Sequence, residues 1–178
     1  LPKLRHYVLG TRHEIYVDGT PMVRDVWVDG IGATPPDRKK QEDEFRTVAV
    51  VGEREGGRTW FALDVTDPNN PKFLWAWPPP GTTLALSNGE TWNDVAPMPP
   101  SIGPVALEAE DGLFAVDGVR AEERYVVALN GGFDPVGLRG RSLNVLDVWT
   151  GELIYRFARD NPTVAALAAP LGSVAALP

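Results

Sequence analysis

The sequence predicts an all-β fold: a partial β-propeller of about two four-stranded antiparallel blades plus the first strand of a third. Three observations predict it. Residues 21–77 can be laid over residues 104–157 as an internal repeat, each copy holds four short β-rich runs, and turn residues fill the gaps between runs.

The repeat rests on matched segments. Pro21-Met22-Val23 matches Pro104-Val105-Ala106, and Arg46-Thr47-Val48-Ala49-Val50 matches Arg124-Tyr125-Val126-Val127-Ala128. Leu63-Asp64-Val65 matches Leu146-Asp147-Val148, and Phe73-Leu74-Trp75 matches Leu153-Ile154-Tyr155. The first and third pairs are offset by 83 residues and the second by 78, which places the length changes in loops. The expected strands of the first copy are Met22–Val28, Arg46–Val51, Thr59–Asp64 and Phe73–Trp77. Those of the second are Val105–Ala109, Tyr125–Leu129, Leu143–Asp147 and Leu153–Phe157. Val, Ile, Leu and aromatic residues dominate these runs, and Trp60, Ala62 and Asp64 alternate with Phe61, Leu63 and Val65 at the strand period of two. Asp-Gly and Asn-Gly pairs, such as Asp29-Gly30 and Asn130-Gly131, supply residues that accept positive φ at hairpin turns. No stretch carries a sustained helical period.

The chain therefore divides into an entry segment (1–20), blade one (21–77), a Pro-rich inter-blade loop (78–100), blade two (101–160) and the start of a third blade (161–178). The last assignment follows from Ala169-Pro170-Leu171-Gly172-Ser173-Val174-Ala175, which echoes Pro100-Ser101-Ile102-Gly103-Pro104-Val105-Ala106. A β-sandwich is the other all-β reading, but a sandwich requires no internal repeat.

Composition narrows the function classes. A net charge of −7 argues against a nucleic-acid partner, which needs clustered Lys and Arg. The absence of cysteine excludes disulfides and thiolate metal sites without assigning a compartment. Leu1-Pro2-Lys3-Leu4-Arg5 is not followed by the apolar stretch of a signal peptide, and no run of about 18 apolar residues exists to span a membrane. With no initiator Met and an end inside an apolar run, the chain reads as an excerpt from a longer protein.

Each candidate for chemistry has a plainer explanation. His6 and His13 lack metal-ligand spacing, and no Ser stands in a nucleophile elbow. Asp64-Val65-Thr66-Asp67-Pro68-Asn69-Asn70 offers five oxygen side chains but lacks the central Gly and late Glu of a calcium loop, so it reads as a structural turn. Glu108 with Glu110, and Glu122 with Glu123, are read as solvated acids beside hairpin turns rather than a glycosidase pair. Trp60, Trp75 and Trp77 on the outer hairpin of blade one are expected to pack between blades, with a binding platform as the sharper alternative. The mixed-charge run Asp37–Glu44 is expected to be a solvated loop. No catalytic, cofactor or metal residue is assigned.

At the level of motifs the chain resembles the PilY family of type IV pilus assembly and tip-adhesion proteins. Tyr16-Val17-Asp18-Gly19-Thr20-Pro21 is similar to its VDGSP element, Arg46-Thr47-Val48-Ala49-Val50-Val51-Gly52 to its RTVLVGG strand, and Gly57-Arg58-Thr59-Trp60-Phe61-Ala62-Leu63-Asp64-Val65-Thr66-Asp67-Pro68 to its GGRGxFALDVTDP hairpin. In the second copy, Asn130-Gly131-Gly132-Phe133 stands where the family has GNGY, and Leu146–Ile154 resembles LDxxTGxLI. The likeness covers roughly Tyr16 to Leu177. It implies a non-enzymatic protein at the outer cell surface or pilus tip that binds pilins, minor pilins, other tip proteins, or a host or abiotic surface. The loops Gly32–Glu44, Pro78–Pro100 and Asp111–Glu123 are the expected contact regions. The resemblance also implies calcium in the parent protein, in a loop expected beyond Pro178, and no cofactor within this chain. Rival readings are a quinoprotein-dehydrogenase-like propeller, whose regular Trp motif fails here because Trp60 aligns with Leu143, and a generic propeller interaction scaffold.

Overall fold

The computed structural model describes residues 8–10, 13–32, 35–92, 101–110, 112, 114–116, 118–134, 136 and 139–158. Nine strands make two sheets. The first holds β1 (Met22–Trp27), β2 (Phe45–Gly52), β3 (Trp60–Asp64) and β4 (Lys72–Trp77) in the order β1-β2-β3-β4. The second holds β5 (Ser101–Glu108), β7 (Val119–Asn130), β8 (Ser142–Asp147) and β9 (Leu153–Ala158) in the order β5-β7-β8-β9, with the short β6 (Phe114–Val116) paired to β7. All pairings are antiparallel, and apart from β5 with β7, between which the short β6 intervenes, they join sequence neighbours, the meander of a propeller blade. The fold is the expected partial β-propeller with two blades. The expected third-blade strand lies outside the described residues.

Three details differ from the sequence reading. The first-strand match was four residues out of step: Val50 and Ala128 are equivalent, and their partners across the inner ladder are Met22 and Ser101, an offset of 79 and not 83. A shift of four keeps every side chain on its own face, which is why the apolar pattern alone did not expose it. The expected loop Asp111–Glu123 is largely strand, because β7 begins at Val119 and β6 folds back on it. The Pro-rich crossing contains a short helix, α1 (Thr83–Ser87).

The remaining repeat is reproduced down to an irregularity. In blade one the β3–β4 register shifts between Ala62 and Leu63, so that Leu74 has no partner; in blade two the β8–β9 register shifts between Val145 and Leu146, leaving Ile154. These bulges occupy the same place in both blades.

The core lies between the sheets. Val26, Val48, Val50, Trp60, Ala62, Trp75 and Trp77 from blade one meet Ile102, Val127, Leu129, Leu146 and Val148 from blade two, all buried. Burying an aliphatic or aromatic side chain of this size contributes about 1.5–3 kcal/mol, so this seam dominates stability. Direction comes from polar contacts within it. The Trp75 indole Nε1 donates to the Val148 carbonyl at 3.0 Å, and the Arg24 guanidinium donates to the Ile102 carbonyl at 2.7 Å.

The linking segment is clasped between the blades. Glu90 and Phe133 exchange backbone hydrogen bonds of 2.7 and 2.6 Å, and Gly89 N–H donates to the Gly131 carbonyl at 2.8 Å. On the blade-one side, Arg54 N–H donates to the buried Thr91 hydroxyl at 2.7 Å, and the Asn88 amide donates to the Arg58 carbonyl at 2.7 Å. The Asn130 amide donates to the Trp92 carbonyl at 3.1 Å. Gly132 has φ +87°, and a Cβ there would lie 2.5 Å from the Glu90 carbonyl oxygen, so the Asn-Gly-Gly-Phe run is shaped by this clasp.

Gly151 closes the β8–β9 turn with φ +74° and faces Trp75, whose ring would sit 2.5 Å from an added Cβ. Gly151→Ala is therefore expected to destabilise the chain by about 1–3 kcal/mol through overpacking and backbone strain. Gly103→Ala, in open space on β5, should change stability by less than about 0.5 kcal/mol. Urea unfolding of the two variants checks the contrast.

Candidate functional site

Antiparallel meanders place the β1–β2, β3–β4, β5–β7 and β8–β9 connections on one rim, and the β2–β3, β4–β5 and β7–β8 connections on the other. Of the three expected contact loops, Gly32–Glu44 and Asp111–Glu123 thus share a rim, and Pro78–Pro100 belongs to the opposite one. A cleft of about 690 Å³ opens on the shared rim, between the blades. Blade one lines it with Trp27, Val28, Asp29, Arg38 and Lys40; blade two supplies Glu122–Tyr125 and Asp147–Thr150, with Glu152.

One buried acid shapes the blade-one wall. Glu44 is fully buried immediately before β2, and its carboxylate accepts from the Trp27 indole N–H at 2.8 Å, Gly30 N–H at 2.7 Å and Gln41 N–H at 3.3 Å. Its backbone carbonyl accepts from Val28 N–H at 3.1 Å. The 28–44 excursion is therefore folded around a single side chain. Asp29 adds a second anchor, accepting from the backbone N–H groups of Asp37 and Arg38, both at 3.1 Å. The expectation of a solvated mixed-charge loop holds for Asp37, Lys39, Lys40, Glu42 and Asp43, which are exposed, and is corrected at Glu44, whose buried carboxylate is held by three N–H donors.

The loop's cations reach across to blade two. Arg38 Nε lies 3.3 Å from a Glu122 oxygen, and Lys40 Nζ lies 2.6 Å from a Glu123 oxygen. Arg124 Nε donates to Glu122 at 2.8 Å, and its Nη1 lies 3.7 Å from Asp147 and 3.9 Å from Glu152. Lys40 also sits 5.7 Å from the Trp27 ring centroid, within range of a cation–π contact. Glu122 and Glu123 are thus partly buried strand residues in ion pairs, not solvated turn acids. Asp147 also caps the β8–β9 turn, accepting from Trp149 N–H at 3.0 Å and Thr150 N–H at 2.8 Å. Five acids face three bases around the cleft, which leaves it with an acidic surplus.

The other sequence candidates stay apart from the cleft or serve structure. Trp60, Trp75 and Trp77 are buried in the seam, so no ring is presented as a platform. In the 64–70 turn, Thr66 Oγ1 donates to Asp64 at 2.6 Å and accepts from Thr47 N–H at 3.0 Å, while Asp67 accepts from Asn69 N–H at 3.0 Å. Those oxygens are used by the turn itself. Glu108, Glu110 and His13 are exposed, and His6 lies outside the described residues. Among the described residues no group of three or more His, Cys, Asp or Glu is arranged to hold a metal ion, and no helix is long and apolar enough to cross a membrane. Sequence reasoning missed Arg38 and Lys40 as inter-blade residues, and Glu44 as the buried acid that holds their loop. The available signal was an acid directly preceding the apolar strand Phe45–Gly52 and following an Asp-Gly turn.

Two stacked four-stranded meanders with a cleft at their shared rim define a β-propeller segment. Curated relatives show what the chain is similar to. The chain is 41% identical over 66 residues, 37% of its length, to the type IV pilus biogenesis factor PilY1 of Pseudomonas aeruginosa PAO1. It is 36% identical over 76 residues, 42% of its length, to the PilY1 homolog of Xylella fastidiosa. These matches span about 5% of the relatives' own length. The crystal structure of the P. aeruginosa PilY1 C-terminal domain resembles 80% of this chain and 22% of that one, with a TM-score of 0.45 and 23% identity. No family model matches the chain. By sequence, this chain holds a segment similar to PilY1 type IV pilus biogenesis factors.

Glu44→Ala is expected to cost about 2–4 kcal/mol, because the Trp27 indole and two backbone N–H groups lose their acceptor. In the same urea series, a double-mutant cycle on the part-exposed pair Lys40 and Glu123 should return a coupling of no more than about 1 kcal/mol that shrinks in high salt.

Proposed function

We propose that this chain is a non-enzymatic binding segment of a type IV pilus biogenesis and tip-adhesion factor, working at the outer cell surface or pilus tip. The observation that carries the reading is the sequence similarity to the type IV pilus biogenesis factor PilY1. The cleft supports a binding role. Each of its carboxylates is already held by an ion pair or by turn N–H groups, an arrangement that suits recognition more than proton transfer. The partners in this reading are pilins, minor pilins or other tip proteins, or a host or abiotic surface, reached through the rim that carries the 28–44 excursion. Calcium, in this reading, belongs to the parent protein and not to this chain.

Loss of the parent gene is expected to reduce surface pili and attachment. In the restored strain, Trp149→Ser combined with Glu123→Lys at the cleft should lower both without lowering the protein's level. Electron-microscopic pilus counts and adhesion assays check this, and normal piliation and attachment in the deletion strain would sink the proposal.

A further inference from the structure

Blade two carries a side chain on its β8–β9 turn that the turn does not require. The two outer turns open alike: Asp64, Val65 and Thr66 in blade one stand where Asp147, Val148 and Trp149 stand in blade two. Val65 N–H and Val148 N–H donate to the equivalent carbonyls of Thr47 and Tyr125. Each Asp accepts at 3.0 Å from the backbone N–H two residues on, that of Thr66 or of Trp149. Thr66 also gives its hydroxyl to the turn, donating to Asp64 and accepting from Thr47 N–H. An indole has no acceptor for that second bond, so turn chemistry does not account for Trp149. Its ring packs in part against the seam and lines the cleft.

The cleft already shows what an indole beside carboxylates holds. Lys40 Nζ lies 2.6 Å from Glu123 and 5.7 Å from the Trp27 ring centroid, and Arg38, on the same loop, pairs with Glu122. A basic loop is thus laid against the blade-two wall within the chain itself. Around Trp149 the carboxylates are those of Asp147 and Glu152. Among the described residues the cation within ion-pair reach of them is Arg124, at 3.7 and 3.9 Å, beyond hydrogen-bond distance, and its Nε already donates to Glu122. The Glu152 side chain is 69% exposed. Pairs this loose contribute little and yield to a better-placed cation. Five acids against three bases leave the cleft a surplus of two negative charges, which draws cations to it. We propose that the Trp149 end of the cleft takes an arginine or lysine side chain from a loop segment of a partner protein. Its charge lies against Asp147 and Glu152, and its alkyl stem and cationic head lie on the indole. The proposal rests on the reading of this rim as the binding rim and adds the chemistry of the partner.

Carboxyl footprinting of the full parent protein tests it, with carbodiimide-driven coupling of glycine ethyl ester read by peptide mass spectrometry. Glu152 is expected to label in the free protein. An excess of the probe N-acetyl-Gly-Arg-Gly-amide should slow that labelling by at least ~3-fold. Glu108 and Glu110, exposed acids outside the cleft, should label as before. The same peptide with citrulline in place of arginine keeps the shape without the charge and should protect nothing. Trp149→Leu should raise the concentration of arginine probe needed for half-protection by about 2- to 5-fold, as loss of an exposed cation–π contact does. A Glu152 that fails to label in the free protein overturns the proposal, since other parts of the parent then cover the cleft. So does equal protection by the citrulline probe, equal slowing at Glu108 and Glu110, or a Trp149→Leu variant that binds the probe unchanged. None of these readouts involves pili, so the proposal can fail while the deletion strain still loses pili and attachment. Equally, the arginine probe can bind at Trp149 in a protein whose loss leaves pili intact.

Discussion

Everything in this chain depends on the contact between its two sheets. A single four-stranded meander buries little by itself, because each face needs a second layer. Here the layer for blade one is blade two, and the fully buried aliphatic and aromatic side chains lie in the seam between them. The Trp75 indole bond to Val148 fixes the rotation of one sheet on the other, since an indole N–H buried with its acceptor allows little sliding. Gly151 makes room for that ring. The seam therefore sets the angle between the blades, and the cleft is what that angle leaves open at one rim.

Each rim is held by a different device. On the cleft side, Glu44 folds the long 28–44 excursion into a wall, and Arg38 and Lys40 carry it across to Glu122 and Glu123. On the far side the tying is done by the Glu90–Phe133 backbone bridge, by the glycines beside it, and by the side chains of Asn88, Thr91 and Asn130.

Much of the fold could be read from the sequence because strands announce themselves locally. The alternation in Trp60–Val65 and the turn chemistry of Asp64 and Asp147 recur in both copies, so the two described blades, their eight meander strands and the β3 to β8 match were legible, whereas the short β6 was not. The inner strand was legible only in phase. Pro21 and Pro104 look like a match, yet the ladder pairs Met22 with Val50 and Ser101 with Ala128, and nothing local distinguishes the two registers. The cleft was hardly legible at all. Arg38, Lys40 and Glu44 read as an ordinary solvated charge run, and only the folding of that run onto a strand about eighty residues away turns it into a wall. The Pro-rich crossing was legible as a connection but not as a clasp, since the hydrogen bonds of Asn88 and Thr91 go to distant backbone.

The central claim is that the two blades form one cooperative unit because their shared seam is the core. Native-state hydrogen exchange resolved by residue tests it most directly. The account predicts that the ladder amides of β2 and β3 and those of β7 and β8 exchange with the same opening free energy, equal to that of global unfolding. It also predicts that Trp75→Ala lowers both sets together. Two distinct opening energies, with one blade exchanging while the other stays protected, would contradict it.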